Sequence, residues 1–221
     1  MGFFDYLFGK KNKSNRINKK KIINHNENHT KEIRLFHENG KLKIVGLLDS
    51  NGNNHGNFKE WNLNGVLIKD HNYEHGEPHG SIKNYFDNGN IQHDFNFQNG
   101  KRHGINNEFF NDGKKNIIGF FKYGKEHGMK EQFYASGNLE TRTTYKDGLI
   151  EGVHIYLKEN GEVIEEKIMQ KGLDITMELM ELMISNNSEH MLKAGLIKEE
   201  SQSFEPGQFS QKIYDYYKKN N

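Results

Sequence analysis

Seventeen of the chain's 23 glycines fall into three series with a step of 24 residues, and this periodicity constrains the fold more than any other feature. One series runs Gly65, Gly89, Gly113, Gly137, Gly161, opened one residue out of step by Gly40. A second runs Gly52, Gly76, Gly100, Gly124, Gly148, Gly172, and a third trails it by four residues from Gly56 to Gly152. A fixed period of this length marks stacked supersecondary units, none of which buries its apolar face alone. Aromatic positions keep the same step. Trp61, Tyr85, Phe109 and Phe133 continue a site opened by Phe36 and closed by Leu157, while Tyr73, Phe97, Phe121, Tyr145 and Met169 share another. His55, His79, His103 and His127 each stand directly before a glycine.

Each unit reads as two strands. The first ends at the aromatic site, as in Ser81 to Phe86, and Asn88-Gly89 or Asp112-Gly113 then supplies residues suited to a tight hairpin turn. In the second strand Ile91, His93, Phe95 and Phe97 alternate with Gln92, Asp94 and Asn96, the period-2 pattern of a half-buried antiparallel strand. A longer turn, Gln98 to Gly104, leads to the next unit. The expected fold is an all-β repeat: an extended single-layer antiparallel meander of six hairpins of about 24 residues, with a short α-helical C-terminal tail. Composition agrees. Only 33% of the chain is hydrophobic and the mean hydropathy is -0.96, too polar for a deep core, yet 12% is aromatic, too much for general disorder.

Laid out as aromatic, x, x, Asn-Gly, then apolar and aromatic positions, then Gly-Lys-x-His-Gly, the repeat resembles the MORN-repeat family. Tyr85 to Gly104 (YFDNGNIQHDFNFQNGKRHG) and Phe109 to Gly128 (FFNDGKKNIIGFFKYGKEHG) carry the likeness best. The 24-residue spacing is similar to the bacterial variant found in YwqK-type antitoxin proteins. The resemblance spans about Glu32 to Leu173 and implies a hairpin-repeat fold and a role in protein interaction or as a membrane-proximal scaffold. The sixth unit departs from the pattern: Glu151 replaces the histidine, and no second turn glycine follows Gly172, so it reads as a capping unit.

Three regions follow: a segment and linker over 1–31, the repeats over 32–173, and a helical cap over 174–221. In the first, Phe3, Phe4, Leu7 and Phe8 precede a Lys-rich stretch. Eight basic residues against two acidic ones give residues 1–31 a net charge of +6. An apolar helix face followed by a polybasic run is the two-signal pattern for attachment to an anionic membrane surface. The same segment could instead fold over the first sheet edge. After Leu173 the period shifts to 3.6, with Asp174 placed as an N-cap. A later segment puts Phe209, Ile213, Tyr216 and Tyr217 on one face.

The chemistry is expected to be binding, not catalysis. There is no cysteine, no G-x-S-x-G elbow, no phosphate-binding G-x-x-x-x-G-K-[ST] loop and no H-E-x-x-H. Histidines repeated one hairpin apart lie ~10 Å from each other, too far to share a zinc ion, so no metal and no cofactor is expected. Their alternative role is turn hydrogen bonding and stacking on a neighbouring aromatic. A near-neutral net charge of +1 gives nucleic acid no basic stripe. The expected partner is another protein, in the family's antitoxin reading a toxin. Candidate contact residues are the ladder aromatics Trp61, Tyr73, Tyr85 and Phe97, because aromatics dominate interface hot spots. The alternative is a peripheral scaffold held at a membrane by Phe3, Phe4, Leu7 and Phe8. The expected location is the cytoplasm, including the inner membrane face in the second reading.

Overall fold

The computed structural model describes residues 30–177, the backbone pairing of 21–24, and residues 211, 212, 214, 215, 218 and 219. A short strand β1 (Lys21–Asn24) is followed by the first two hairpins, β2 (Lys31–Phe36) with β3 (Leu42–Leu48) and β4 (Asn54–Trp61) with β5 (Leu67–Glu74). Next come β6 (Glu77–Tyr85), β7 (Ile91–Gln98), the two-residue β8 (Lys101–Arg102), β9 (Gly104–Phe109), β10 (Lys115–Lys122) and the two-residue β11 (Lys125–Glu126). The chain continues through β12 (Gly128–Phe133), β13 (Leu139–Lys146), β14 (Leu149–Leu157), β15 (Val163–Gln170) and β16 (Leu173–Asp174). All pairings are antiparallel between strands consecutive along one sheet, with β8 and β11 paired on β7 and β10. This is the single-layer meander of six hairpins that the glycine period predicts.

The seventeen glycines of the three series all have positive φ, between 71° and 109°, whereas Gly46 and Gly119 do not. Each series answers a different backbone need. Gly89 closes a turn in which its N–H donates to Phe86 O and Phe86 N–H donates to Asn90 O, a type I turn with a glycine bulge. Gly100 follows Asn99 (φ 49°) between the paired Gln98 and Lys101, so both loop residues have φ > 0 as a type I′ turn requires. Gly104 belongs to a bulge: the register between β7 and its next partner shifts by two after Arg102, and His103 N–H donates to Asn96 O. The expected seven-residue turn is therefore a two-residue turn, a short ladder and a bulge. Gly52 differs from its series. One extra residue converts its loop to the bulged type I form, with Asp49 N–H donating to Asn53 O and Gly52 N–H to Asp49 O.

The core lies on one face of the sheet in the first three hairpins. Ile33, Ile44, Tyr73, Ile82 and Phe95 are buried there, with His71 paired to Ile82 and Ile82 to Phe95 across adjacent strands. Gly46 sits under the ring of Phe58, which meets Tyr73 edge-on at 6.0 Å. In a sheet with no second layer, such side chains exclude water by covering one another. At the far end the opposite face is buried instead. Val153, Ile155 and Leu157 of β14 and Ile168 of β15 fall to between 0 and 6% exposure. Tyr214, one of the helical residues 211, 212, 214, 215, 218 and 219, is also buried, and Lys218 reaches Glu151 of β14.

One expectation about the ends changes. The sheet begins at Lys21, inside the segment read as a linker, because Lys21–Asn24 pairs with Lys31–Arg34 and satisfies backbone groups that β2 would otherwise leave open. In the tail Tyr214 is buried, while Phe209, Ile213, Tyr216 and Tyr217 lie outside the described residues. Asp174 does cap: its Oδ1 accepts Thr176 N–H at 3.0 Å at the start of helical residues 176–177. Phe3, Phe4, Leu7 and Phe8 lie outside the described residues.

Candidate interaction surfaces

The type I′ turns stack along one edge of the ribbon. Gly76, Gly100, Gly124, Gly148 and Gly172 each donate an N–H to a carbonyl of the preceding unit, Asn54, Pro78, Arg102, Glu126 and Ile150, at 2.8 to 3.0 Å. The repeat histidines serve this stack. His103 Nδ1 accepts Tyr123 N–H at 3.5 Å and packs on the Tyr123 ring at 5.0 Å; His127 Nδ1 accepts Asp147 N–H at 3.4 Å. His55 stacks on His75 at 5.0 Å, and His79 Nδ1 lies 3.1 Å from Glu74. In the last unit Glu151 Oε2 takes the histidine's place and accepts Lys171 N–H at 2.7 Å. Among the described residues no three His, Asp or Glu side chains converge to hold a metal ion.

Asparagine organises the opposite edge. Asn88 Oδ1 accepts Asn90 N–H within its own turn, while Asn88 Nδ2 donates to Asn111 O of the next. Asn39 reaches Leu63 O in the same way, and Asn138, which follows its turn glycine as Asn90 does, reaches Glu159 O. On this edge the asparagine of Asn-Gly, as at Asn39 and Asn88, thus acts through its side chain as a bridge between units and, unlike Asn99 on the other edge, does not adopt positive φ. Trp61 stands on this edge over a shallow depression of about 430 Å³ shared with Lys41, Leu42, Asn64 and Gly65. His37 Nε2 bonds the Trp61 carbonyl at 2.8 Å.

Toward the type I′ edge, the second aromatic series lies opposite the bulge glycines: Gly56 faces Tyr73, Gly80 faces Phe97, Gly104 faces Phe121 and Gly128 faces Tyr145. A ring beside a residue with no side chain fills the gap, which explains why both series share one period. Arg102, paired with Phe97, places its guanidinium 4.1 Å from the Phe95 ring centre and 5.2 Å from that of Phe121.

The four candidate contact residues therefore do not form one site. Trp61 and Tyr85 close bulged turns on one edge and Phe97 lies toward the other; all three are half-buried. Tyr73 is 5% exposed and is corrected from a contact residue to a core residue. Its hydroxyl begins a polar chain, buried at Tyr73 and His71 and half-buried beyond, that sequence reasoning missed. Tyr73 Oη lies 3.1 Å from His71 Nδ1, His71 Nε2 lies 2.7 Å from Asn84 Oδ1, and Asn84 Nδ2 lies 3.3 Å from His93 Nδ1. The roles close with neutral imidazoles: Tyr73 donates to His71, His71 to Asn84, and Asn84 to His93. Burial pushes Tyr73 up to about 12, so it stays a donor, and burial pushes both His71 and His93 below the usual histidine range. The signal was present in the sequence as polar residues at core-facing positions of alternating strands.

The family model of the MORN repeat variant matches residues 78–99 and 126–147. Each match covers one hairpin, β6 with β7 and β12 with β13, from just after one type I′ turn to the first residue of the next. No curated protein matches the chain. With two hairpins recognised directly and the same turn and bulge geometry in the hairpin between them, the chain carries repeats of the MORN variant.

Proposed function

We propose that this chain is a non-catalytic scaffold that binds another protein along its repeat surface, and that its specific role is that of a neutralising component, antitoxin or immunity-like, covering a partner's working surface. MORN repeats generally mediate protein or membrane interactions. The observation that carries the reading is the stacking of both turn edges. Histidine, asparagine and glycine brace each unit on the next, which holds a long, regular surface rigid without any partner. A surface ordered in advance loses little entropy on binding. Trp61, Tyr85 and Phe97 are the half-buried aromatics that a partner would engage, and no cofactor or nucleic acid enters this reading. The scaffold acts in the cytoplasm.

Affinity capture of the full chain from its own cells, followed by reconstitution of the purified pair, tests this. A stoichiometric complex weakened by Trp61→Ala or Phe97→Ala is expected, with the captured protein's activity suppressed in the complex. A complex that leaves that activity untouched removes the neutralising role; absence of any stoichiometric protein removes the scaffold reading.

A further inference from the structure

The face opposite Tyr73, Ile82 and Phe95 is polar along most of the ribbon. Its central row runs Lys59, Asp70, Lys83, Asp94 on successive strands, closed by Lys59–Asp70 at 2.6 Å and Lys83–Asp94 at 2.7 Å. Further on, Glu131 and Arg142 pair at 2.9 Å. One row nearer the type I′ edge, where earlier strands carry the paired Ser81 and Asn96, the same face turns apolar. Ile105 of β9 pairs directly with Phe120 of β10, and Met129 of β12 follows Gly128, which lies against the Phe120 Cβ. Ile105 is 55%, Phe120 38% and Met129 54% exposed, a bare apolar group on a face whose neighbours neutralise one another.

The repeat itself indicates what fits there. Two units later the slots of Ile105 and Phe120 are occupied by Val153 and Ile168, again a directly paired couple, at 6% and 0% exposure. A single-layer sheet supplies nothing to bury that face, so a different part of the chain must lie over it. Tyr214 hydrogen-bonds Glu151, and Lys218 stands 2.5 Å from the same carboxylate, which brings these two helical residues to this end of the sheet. The bare group is continuous with the covered one: Met129 pairs with Thr144, and Thr144 lies against Gly152 beside Val153.

We propose that Ile105, Phe120 and Met129 form a docking site for an amphipathic helix of a partner protein, one whose sequence spaces aliphatic and aromatic residues as Phe209, Ile213, Tyr216 and Tyr217 are spaced in this chain. This rests on the scaffold reading and adds to it a location and a partner chemistry. The half-buried aromatics on the two edges engage the partner elsewhere; this patch receives its helix.

A fluorescent peptide of residues 206–221, the chain's own tail, is the probe, titrated into the full chain and followed by anisotropy. Saturable binding is expected, weakened about tenfold or more by Phe120→Asp and by Ile105→Asp, and unchanged by Lys83→Gln on the same face. Both aspartate variants should melt with the parent, since the residues they replace are exposed. Absence of saturable binding, or binding indifferent to both variants, overturns the proposal. So does a result in which Phe120→Asp abolishes self-association in sedimentation, or attachment to phosphatidylserine vesicles, while the peptide does not bind; the surface then belongs to a second copy or to lipid. Failure of the scaffold reading is seen separately, as the lack of any stoichiometric protein on the intact chain.

Discussion

Glu151 and Lys218, 67 residues apart, meet at 2.5 Å, while the other Glu151 oxygen accepts Lys171 N–H at 2.7 Å. The four earlier units carry histidine at this slot. The exchange keeps the acceptor for the next turn and adds a negative charge that anchors the tail. Burial alone would raise this carboxyl, but hydrogen bonds from Lys218, the Lys171 N–H and Tyr214 outweigh it and hold the group at about 2. A depressed carboxylate contributes stability above its unfolded value of 4.5 and loses it as pH falls toward about 2. Glu151→Gln should therefore lower the melting temperature at pH 7, with the gap to the parent narrowing as pH drops below 4.5. A double-mutant cycle with Lys218→Met should give a coupling of about 1 kcal/mol or less, because the Lys218 side chain is 40% exposed. A gap that stays constant with pH would show that the carboxylate is not what holds the tail.

Gly46 and Gly119 lie in strands and have ordinary backbone angles, yet they should respond oppositely to alanine. A Cβ on Gly46 would fall inside the Phe58 ring, which is hemmed in by Tyr73. Gly46→Ala should cost about 1–3 kcal/mol through forced repacking. A Cβ on Gly119 meets Lys130 Cγ at 3.6 Å and Phe121 at 3.7 Å, ordinary contacts, so Gly119→Ala should be neutral or stabilising by up to about 1 kcal/mol. Urea titrations of both variants decide this.

Turn strain gives a third contrast. Gly113 has φ 87° with only Asn90 near a would-be Cβ, so space is not its constraint. Gly113→Val should destabilise by at least about 1–2 kcal/mol through backbone conformation and should hurt more than Gly119→Val. Thermal melts showing equal losses would contradict the turn assignment.

The Tyr73–His71–Asn84–His93 chain predicts a response to mild acid. His71 and His93 are held below the ordinary histidine value of 6.5, chiefly by burial, with Lys69 near the first and Arg102 near the second opposing protonation, and with the Asn84 hydrogen bond, Glu60, Asp70 and Glu108 favouring it. In the unfolded chain these imidazoles take up protons from about pH 6.5 downward, whereas in the folded chain they resist. Stability should therefore decline as pH falls below 6.5, before the carboxylates titrate. His71→Gln should flatten this decline while lowering stability at pH 7, as read by melts between pH 7.5 and 5. A parent curve that is level over that range would mean that the imidazoles protonate freely in the fold.

The basic N-terminal segment gives a prediction about surfaces. Insertion of Phe3, Phe4, Leu7 and Phe8 into a bilayer would contribute on the order of 1–2 kcal/mol per buried side chain. Each nearby lysine adds about 1 kcal/mol on an anionic surface, screened by salt. Deleting residues 1–20, which leaves β1 intact, should abolish binding to anionic vesicles and leave the melting temperature unchanged. Unaltered vesicle binding with a lowered melting temperature would assign the segment to the sheet edge instead.

The period of the glycines carried the architecture because each glycine sits where a side chain on an L-residue meets backbone strain, and strain of that kind depends on local conformation alone. Gly89, Gly100 and Gly104 could thus be located from spacing, and with them the six hairpins and the alternation of Ile91, Phe95 and Phe97. What spacing could not reveal was how the same residue type is used on each edge, since His103 and Asn88 act on partners 20 and 23 residues away that become neighbours only when hairpins stack. The split fate of equivalent slots was equally invisible. Val153 and Ile168 are covered while Ile105 and Phe120 stand bare, and Tyr73 is sealed while Trp61 is not. Burial depends on what covers each slot: Tyr73 is sealed by neighbours such as Phe58, and Tyr214 and Lys218 return to the far end at Glu151, contacts between distant residues that local pattern does not encode.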